Sequence, residues 1–440
     1  MPRSHRSCDG ITRRHSLKLG ASGLIGGLTL PRLFQMEATA ATGDEPKAKS
    51  CIFLFLEGGP STIDMWDLKP DAAAEIRGPF QPIKTNVVGT LVGEHCPRSA
   101  KVADKFTILR SHSHNDNGHR TGYHYLFTGY RPNFADGQNT KVPVNEVYPS
   151  VGSIVSRELG ARGGLPPYIN MPHAMAAGGP GFYGAEYAPF VVDSDPAQPD
   201  FEVNDLRRDD RVSESRHQRR QRLLRALEKD AVPPGKAGTM ATYYDKARDL
   251  VSSPAARKAF DLKAEPDKLR AAYGHTTLGQ SALLARRLAE AGCRFIGVDH
   301  SGWDTHFNCF PGLQKDLIPH ADQAFAALVT DLADRGMLDS TLVVMMGEMG
   351  RTPRVNDRAG RDHWSMVQSV LFAGGGVKPG QILGASDPKG VAPTSDPVSI
   401  ADVLRTVFHL MGIDSDKSYN TPLGRPVPIV DGGKLIKGLI

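Results

Sequence analysis

Three short apolar runs in this chain each end in acids or histidines. Cys51-Ile-Phe-Leu-Phe-Leu56 runs into Glu57-Gly-Gly, and Phe295-Ile-Gly-Val298 runs into Asp299, His300, Asp304 and His306. Thr341-Leu-Val-Val-Met-Met346 runs into Glu348 and Arg351, with Asp362 and His363 shortly after. Asp, Glu and His together are the donor set of a hard-to-borderline divalent cation such as zinc, calcium or magnesium. Such an ion neutralises charge on the non-bridging oxygens of a phosphate or sulfate ester and lowers the pKa of a bound water to about 7. The chemistry expected is therefore hydrolysis of an anionic ester by metal-activated water. Asp304, His306 and His363 supply a first site, and Glu57 and Glu348 further ligands. Asp64, Asp299, His300 and Asp362 are expected to support them. Arg351, on the same loop as Glu348, is placed to bind the ester's anion through its planar fork. Glu348 and Arg351 also suit an ion pair beneath that loop, and Asp304 and His306 a helix cap.

Apolar runs that deliver polar groups just past their carboxyl ends describe a parallel sheet with a site along that edge. Phe106-Thr-Ile-Leu-Arg110 reads as another strand, followed by His112, His114 and His119, and Gly122–Thr128 as a helix stopped by Gly129. Helices are expected at 277–291 and 313–336, each before a strand, and at Ser399–Met411. This alternation predicts an α/β fold with a mostly parallel sheet flanked by helices. Between about 190 and 275 the composition turns charged and poor in apolar residues, which reads as a helical insertion, with an arginine-rich helix at 216–227.

The formal charge of +5 is concentrated at the start, where the first forty residues carry six Lys/Arg against two acids. The remainder holds 47 basic and 46 acidic residues, which gives no electrostatic case for nucleic acid. Arg13-Arg14-His-Ser-Leu-Lys18, a weakly apolar run to Leu30 and Ala38-Thr-Ala40 form a twin-arginine export leader over 1–40. The partner implied is the twin-arginine export machinery, and the location periplasmic or extracellular. Residues 41–440 are then a single domain without a stable membrane span. Cys51, Cys96, Cys293 and Cys309 remain in the mature chain, allowing three pairings, although Cys51 and Cys293 open apolar strands and suit buried thiols.

Four motifs carry a family resemblance: Glu57-Gly-Gly-Pro-Ser-Thr-Ile-Asp64-Met-Trp-Asp67, Gly302-Trp-Asp-Thr-His306, Gly347-Glu-Met-Gly-Arg-Thr-Pro353 and Gly360-Arg-Asp-His-Trp364. With the leader, they make the chain resemble the domain of unknown function 1501 family, exported proteins often labelled sulfatase-like. That family is similar in turn to the alkaline phosphatase and sulfatase superfamily, metal-dependent hydrolases of phosphate and sulfate esters. The resemblance implies an alkaline-phosphatase-like fold and an anionic ester substrate, a sulfated glycan among the candidates. It also places the superfamily's nucleophile nine residues before Thr128-Gly129, where this chain has His119. His119 is accordingly expected as a general acid or base. The competing reading is a non-catalytic exported binding protein on a degenerate scaffold of the same kind.

Overall fold

The computed structural model describes residues 46–131, 147–203 and 253–440, with Leu250 and a few positions between 215 and 223. The chain divides after Pro46, and the fold below is that of Lys47–Ile440. The export leader and the 216–227 helix read from the sequence lie outside the described residues, apart from isolated positions of the latter.

Eight strands make the main sheet: β1 (Ser50–Leu56), β2 (Phe106–His112), β3 (Tyr168–Met171), β4 (Phe190–Val191), β5 (Phe295–His300), β6 (Thr341–Met346), β7 (Gln368–Ala373) and β8 (Gln381–Leu383). Their order is β8-β2-β7-β6-β1-β5-β3-β4. β6, β1, β5, β3 and β4 pair in parallel, as do β2 and β8, while β7 is antiparallel to both its neighbours. The carboxyl ends of β1, β2, β3, β5 and β6 therefore share one edge, and β7 starts from that edge.

Burial on both faces explains why β1 is apolar at every position from Cys51 to Leu56. Successive side chains point to opposite faces. Ile52, Leu54 and Leu56 join one core with α5 (Thr277–Glu290) and α6 (Ile318–Asp334). Cys51, Phe53 and Phe55 join the other, with α1 (His119–Thr128), α2 (Val151–Leu159) and α7 (Ile400–Leu410). The result is three layers, helices on either side of a sheet. Capping fixes where helices begin: Thr276 accepts from the Gly279 amide, and Ser399 forms a reciprocal capping box with Asp402.

Two expectations are refined. Phe190–Val191 pairs with β3, and α3 (Pro254–Phe260) and α4 (Asp267–Tyr273) place Ala256, Ala259, Phe260 and Tyr273 in the first core. Both ends of the stretch read as a 190–275 insertion thus belong to the main fold, and positions 204–249 fall almost wholly outside the described residues. All four cysteines are buried free thiols, so none of the three pairings is made. Burial pushes the Cys293 thiol up to about 12, where it is inert.

Candidate metal centre

The chain turns sharply after β1. Gly58 and Gly59 both take positive φ, and a side chain on Gly58 would sit 2.4 Å from the Asp304 amide nitrogen. Only glycine lets the loop after β5 lie against this turn, where the Trp303 amide donates to the Glu57 carbonyl at 3.1 Å. That contact delivers Asp304. The Thr352–Asp362 loop is fixed by Arg361, whose guanidinium is buried on Asp64 at 2.8 and 2.9 Å and donates to the Ile76 carbonyl. Asn356 ties that loop to the other, donating to the His306 carbonyl and to Asp362 at 3.1 Å each.

These loops and the start of α1 converge on one carboxylate oxygen. Asp304 Oδ1 lies 2.9 Å from His306 Nε2, 3.1 Å from His363 Nε2 and 3.3 Å from His119 Nε2. Each histidine has its other nitrogen on an acceptor: His119 Nδ1 on Glu348 Oε1 at 2.6 Å, His306 Nδ1 on Asp362 Oδ1 at 2.8 Å, and His363 Nδ1 on the Asn117 carbonyl at 2.7 Å. In a neutral ring an acceptor at Nδ1 places the proton there and leaves Nε2 as a lone pair. His306 and His363 then present two lone pairs to one another at 2.9 Å, beside a carboxylate. A positive charge among them is what relieves this arrangement. His119, Asp304 and His363 offer ligand atoms that all lie within 4.8 Å of one another, with His306 Nε2 close to Asp304 and His363, and this donor set suits a divalent cation.

The electrostatics agree. Burial works against charge on His119, but Asp304 and Glu348 outweigh it and lift its pKa to about 10, so with no ion bound the ring is an imidazolium facing a carboxylate on either side, and a metal must displace the Nε2 proton. Burial also opposes the Asp304 charge, yet His119, His363 and Arg351 hold its carboxyl far below the usual carboxylate range.

A second group sits at the ends of β1, β3 and β5, where Glu57, His173 and Asp299 offer ligand atoms all within 4.8 Å of one another. His173 Nε2 meets Asp299 Oδ2 at 2.7 Å, and Asp299 Oδ1 is buried without a hydrogen-bond partner. Burial, with Asp299 and Glu348 close by, raises the Glu57 pKa. Crowded carboxylates with an unpartnered oxygen also suit a cation.

The residues predicted from sequence therefore separate. Asp304, His306 and His363 come together, and His119 Nε2 joins them, 3.3 Å from Asp304 Oδ1. Glu57 and Asp299 fall in the second group. Asp362 stands behind His306, 2.8 Å from its Nδ1. Glu348, expected as a ligand, has its buried carboxylate bound by the Gly58 amide, 3.1 Å from each oxygen, and by His119; it orients a ligand. Arg351 is corrected too. Its buried guanidinium donates to the carbonyls of Gly58, Gly59 and Arg361 and to Asp304 at 2.6 Å, leaving no fork for a substrate. It forms an ion pair under the loop, with Asp304 in place of Glu348. Asp64 serves Arg361, and His300 accepts from Trp303 Nε1 at 3.0 Å, apart from both groups. Sequence reasoning missed His173, Asn117, Asn356 and Arg361. His173 follows a strand end as the other candidates do, but β3 has only four residues and no acid marks its end.

An α/β protein with a histidine–aspartate cluster on the carboxyl edge of its sheet is the class that this geometry defines. The family model described as "Protein of unknown function (DUF1501)" matches residues 48–440, and the chain belongs to that family. Comparison with curated protein sequences gives no match. Among solved structures the chain is similar to a sulfatase from Pseudoalteromonas sp., at 14% identity over 86% of this chain and 70% of that one, with a TM-score of 0.34. It is also similar to alkaline phosphatase from the Antarctic bacterium TAB5, at 11% identity over 78% of this chain and 96% of that one, TM-score 0.33. A lipoteichoic acid synthase from Listeria monocytogenes matches at 12% identity over 84% and 73%, TM-score 0.34.

Proposed function

We propose that this protein is an exported metal-dependent hydrolase of phosphate or sulfate esters. One observation carries the reading: three Nε2 atoms and one carboxylate oxygen converge while every Nδ1 is held by an acceptor. His119, Asp304 and His363 would hold the ion, with His306 beside them, and Glu57, His173 and Asp299 are available for a second. A bound divalent ion supplies charge neutralisation at the ester and acidifies a water for attack. The chain's own residues do the rest. Glu348, Asp362 and Asn117 keep the rings turned inward, and Arg351 holds Asp304 in place by taking part of its charge. His119 opens α1, so the amino-terminal end of that helix lies beside the cluster. The twin-arginine leader supports export to the periplasm or beyond, and no described helix is long and apolar enough to cross a membrane.

The test is turnover of a panel of aryl phosphates, phosphodiesters and aryl sulfates by protein loaded with zinc, calcium or magnesium. Activity with one metal, abolished in Asp304→Ala while the circular dichroism spectrum is unchanged, is the expected result. The second reading, a binding protein without catalysis, is favoured by His119 standing where the resemblance calls for a serine, threonine or cysteine. It predicts metal uptake and anion binding with no turnover of any ester in the panel.

A further inference from the structure

With Arg351 consumed inside the fold, another group must meet negative charge at the mouth of the cluster. The Thr352–Asp362 loop carries one. Arg358 has a half-exposed side chain, and its guanidinium carbon lies 4.0 Å from the ring centroid of Phe307, the residue after His306. Phe307 is 62% exposed. Among the described residues, the one ion pair of Arg358 is a long approach of 3.9 Å to Asp362, whose carboxylate is already shared by His306 and Asn356.

The backbone beneath is fixed. The Arg358 amide donates to Asn356 Oδ1 at 3.0 Å, and its carbonyl accepts from the Asn308 amide at 2.9 Å. Gly360 packs so closely on His306 that a side chain there would lie 2.1 Å from its carbonyl carbon. A single exposed aromatic ring is ordinary. Capped by a guanidinium, beside a candidate ligand and on a braced loop, it becomes an oriented support. A guanidinium laid flat on a ring is held by the ring's quadrupole and keeps its edge donors free for a two-pronged bond to an acid group.

We propose that Arg358, supported by Phe307, receives a second anionic group of the substrate, so that the ester cleaved belongs to a molecule carrying more than one phosphate or sulfate. This rests on the hydrolase reading, in which the scissile ester lies at the histidine cluster. The consequence is selectivity for polyanions over simple monoesters, set by a residue outside the cluster.

The experiment measures binding of glucose 1-phosphate and glucose 1,6-bisphosphate to the zinc-loaded protein by calorimetry, with metal content determined on the same samples. Wild type is expected to prefer the bisphosphate by about tenfold or more, the scale of one charge-assisted bidentate contact. Arg358→Ala should erase that preference while leaving metal content and monophosphate affinity within about twofold, because Arg358 touches the cluster only through Asp362. Arg358→Lys should restore part of it, and Phe307→Leu, which keeps apolar bulk without the ring face, should lose part. Equal affinity of wild type for the two sugars, or an equal loss for both in Arg358→Ala, overturns this inference and leaves the hydrolase reading standing. Wild type that takes up no metal and binds neither sugar overturns both.

Discussion

At the scale of single residues, the centre is defined by what each side chain can still do once its local bonds are made. Asp304 faces three imidazole Nε2 atoms and accepts from the Arg351 guanidinium, so Asp304→Ala should abolish tight metal uptake, measured by mass spectrometry of the dialysed protein. Glu348 acts through His119, and Glu348→Gln should weaken metal affinity by about ten- to a hundredfold without abolishing it. Arg351 illustrates why residue type alone misleads. Its position after Glu348 suggested a substrate contact, but burial forces every donor onto a carbonyl or Asp304. Arg351→Leu strands those acceptors and should lower stability by about 3 kcal/mol, read as a shift of the denaturant midpoint. A variant as stable as wild type, with only KM raised, would restore the substrate-binding role. His112 yields a pH prediction away from the cluster. It is fully buried, its Nδ1 is 2.9 Å from the Val398 carbonyl, and burial and His114 lower its pKa from 6.5 to about 3. The unfolded chain then binds the extra proton between those values, so stability falls as pH drops through that window, by up to about 5 kcal/mol from this one group. His112→Asn keeps a donor for Val398 and should flatten that part of the stability–pH curve.

At the scale of elements, the strands that carry the site were legible because the sheet buries them on both faces and leaves continuous apolar runs. β1, β5 and β6 appear where Cys51–Leu56, the run at 294–298 and Thr341–Met346 indicated, each with its polar residues just beyond. β3 was not legible, since Tyr168–Met171 is short and mixes Asn170 into the run, and His173 was lost with it. The reversal of β7 was likewise hidden, because an apolar strand reads the same in either direction. Distinguishing ligands from their supports was also beyond a linear pattern: Glu348 and Asp304 follow similar strands, and only the Gly58 amide and the His119 ring separate their roles. The loop geometry is testable through glycine. Gly58→Ala forces a side chain into the Asp304 backbone at positive φ and should displace the cluster, reducing metal affinity at least about tenfold with a stability loss of several kcal/mol. Gly89→Ala is the control, also at positive φ but with nothing within 4 Å, and should cost about 1 kcal/mol and leave metal uptake unchanged.

At the scale of the whole molecule, the two helical layers hold the sheet rigid, and the candidate centre sits where loops from strands distant in sequence meet at one edge. His119 and His363 come from opposite ends of the chain's middle and meet with ring centroids 4.3 Å apart. Binding an ion there joins α1, the loop after β5 and the loop after β6, so a ligand of the folded state should stabilise all of them together. At a free metal concentration about a hundred times Kd the gain is about 2.7 kcal/mol, seen as a higher Tm that chelator reverses and Asp304→Ala abolishes. The most direct measurement is anomalous diffraction from crystals soaked in zinc and collected across the zinc edge. A peak is expected about 2.0–2.2 Å from Nε2 of His119 and His363 and from an Asp304 oxygen, with His306 beside it and the Nδ1 atoms still on their acceptors. No peak among these four side chains, with the rings held as they are by hydrogen bonds alone, would contradict it.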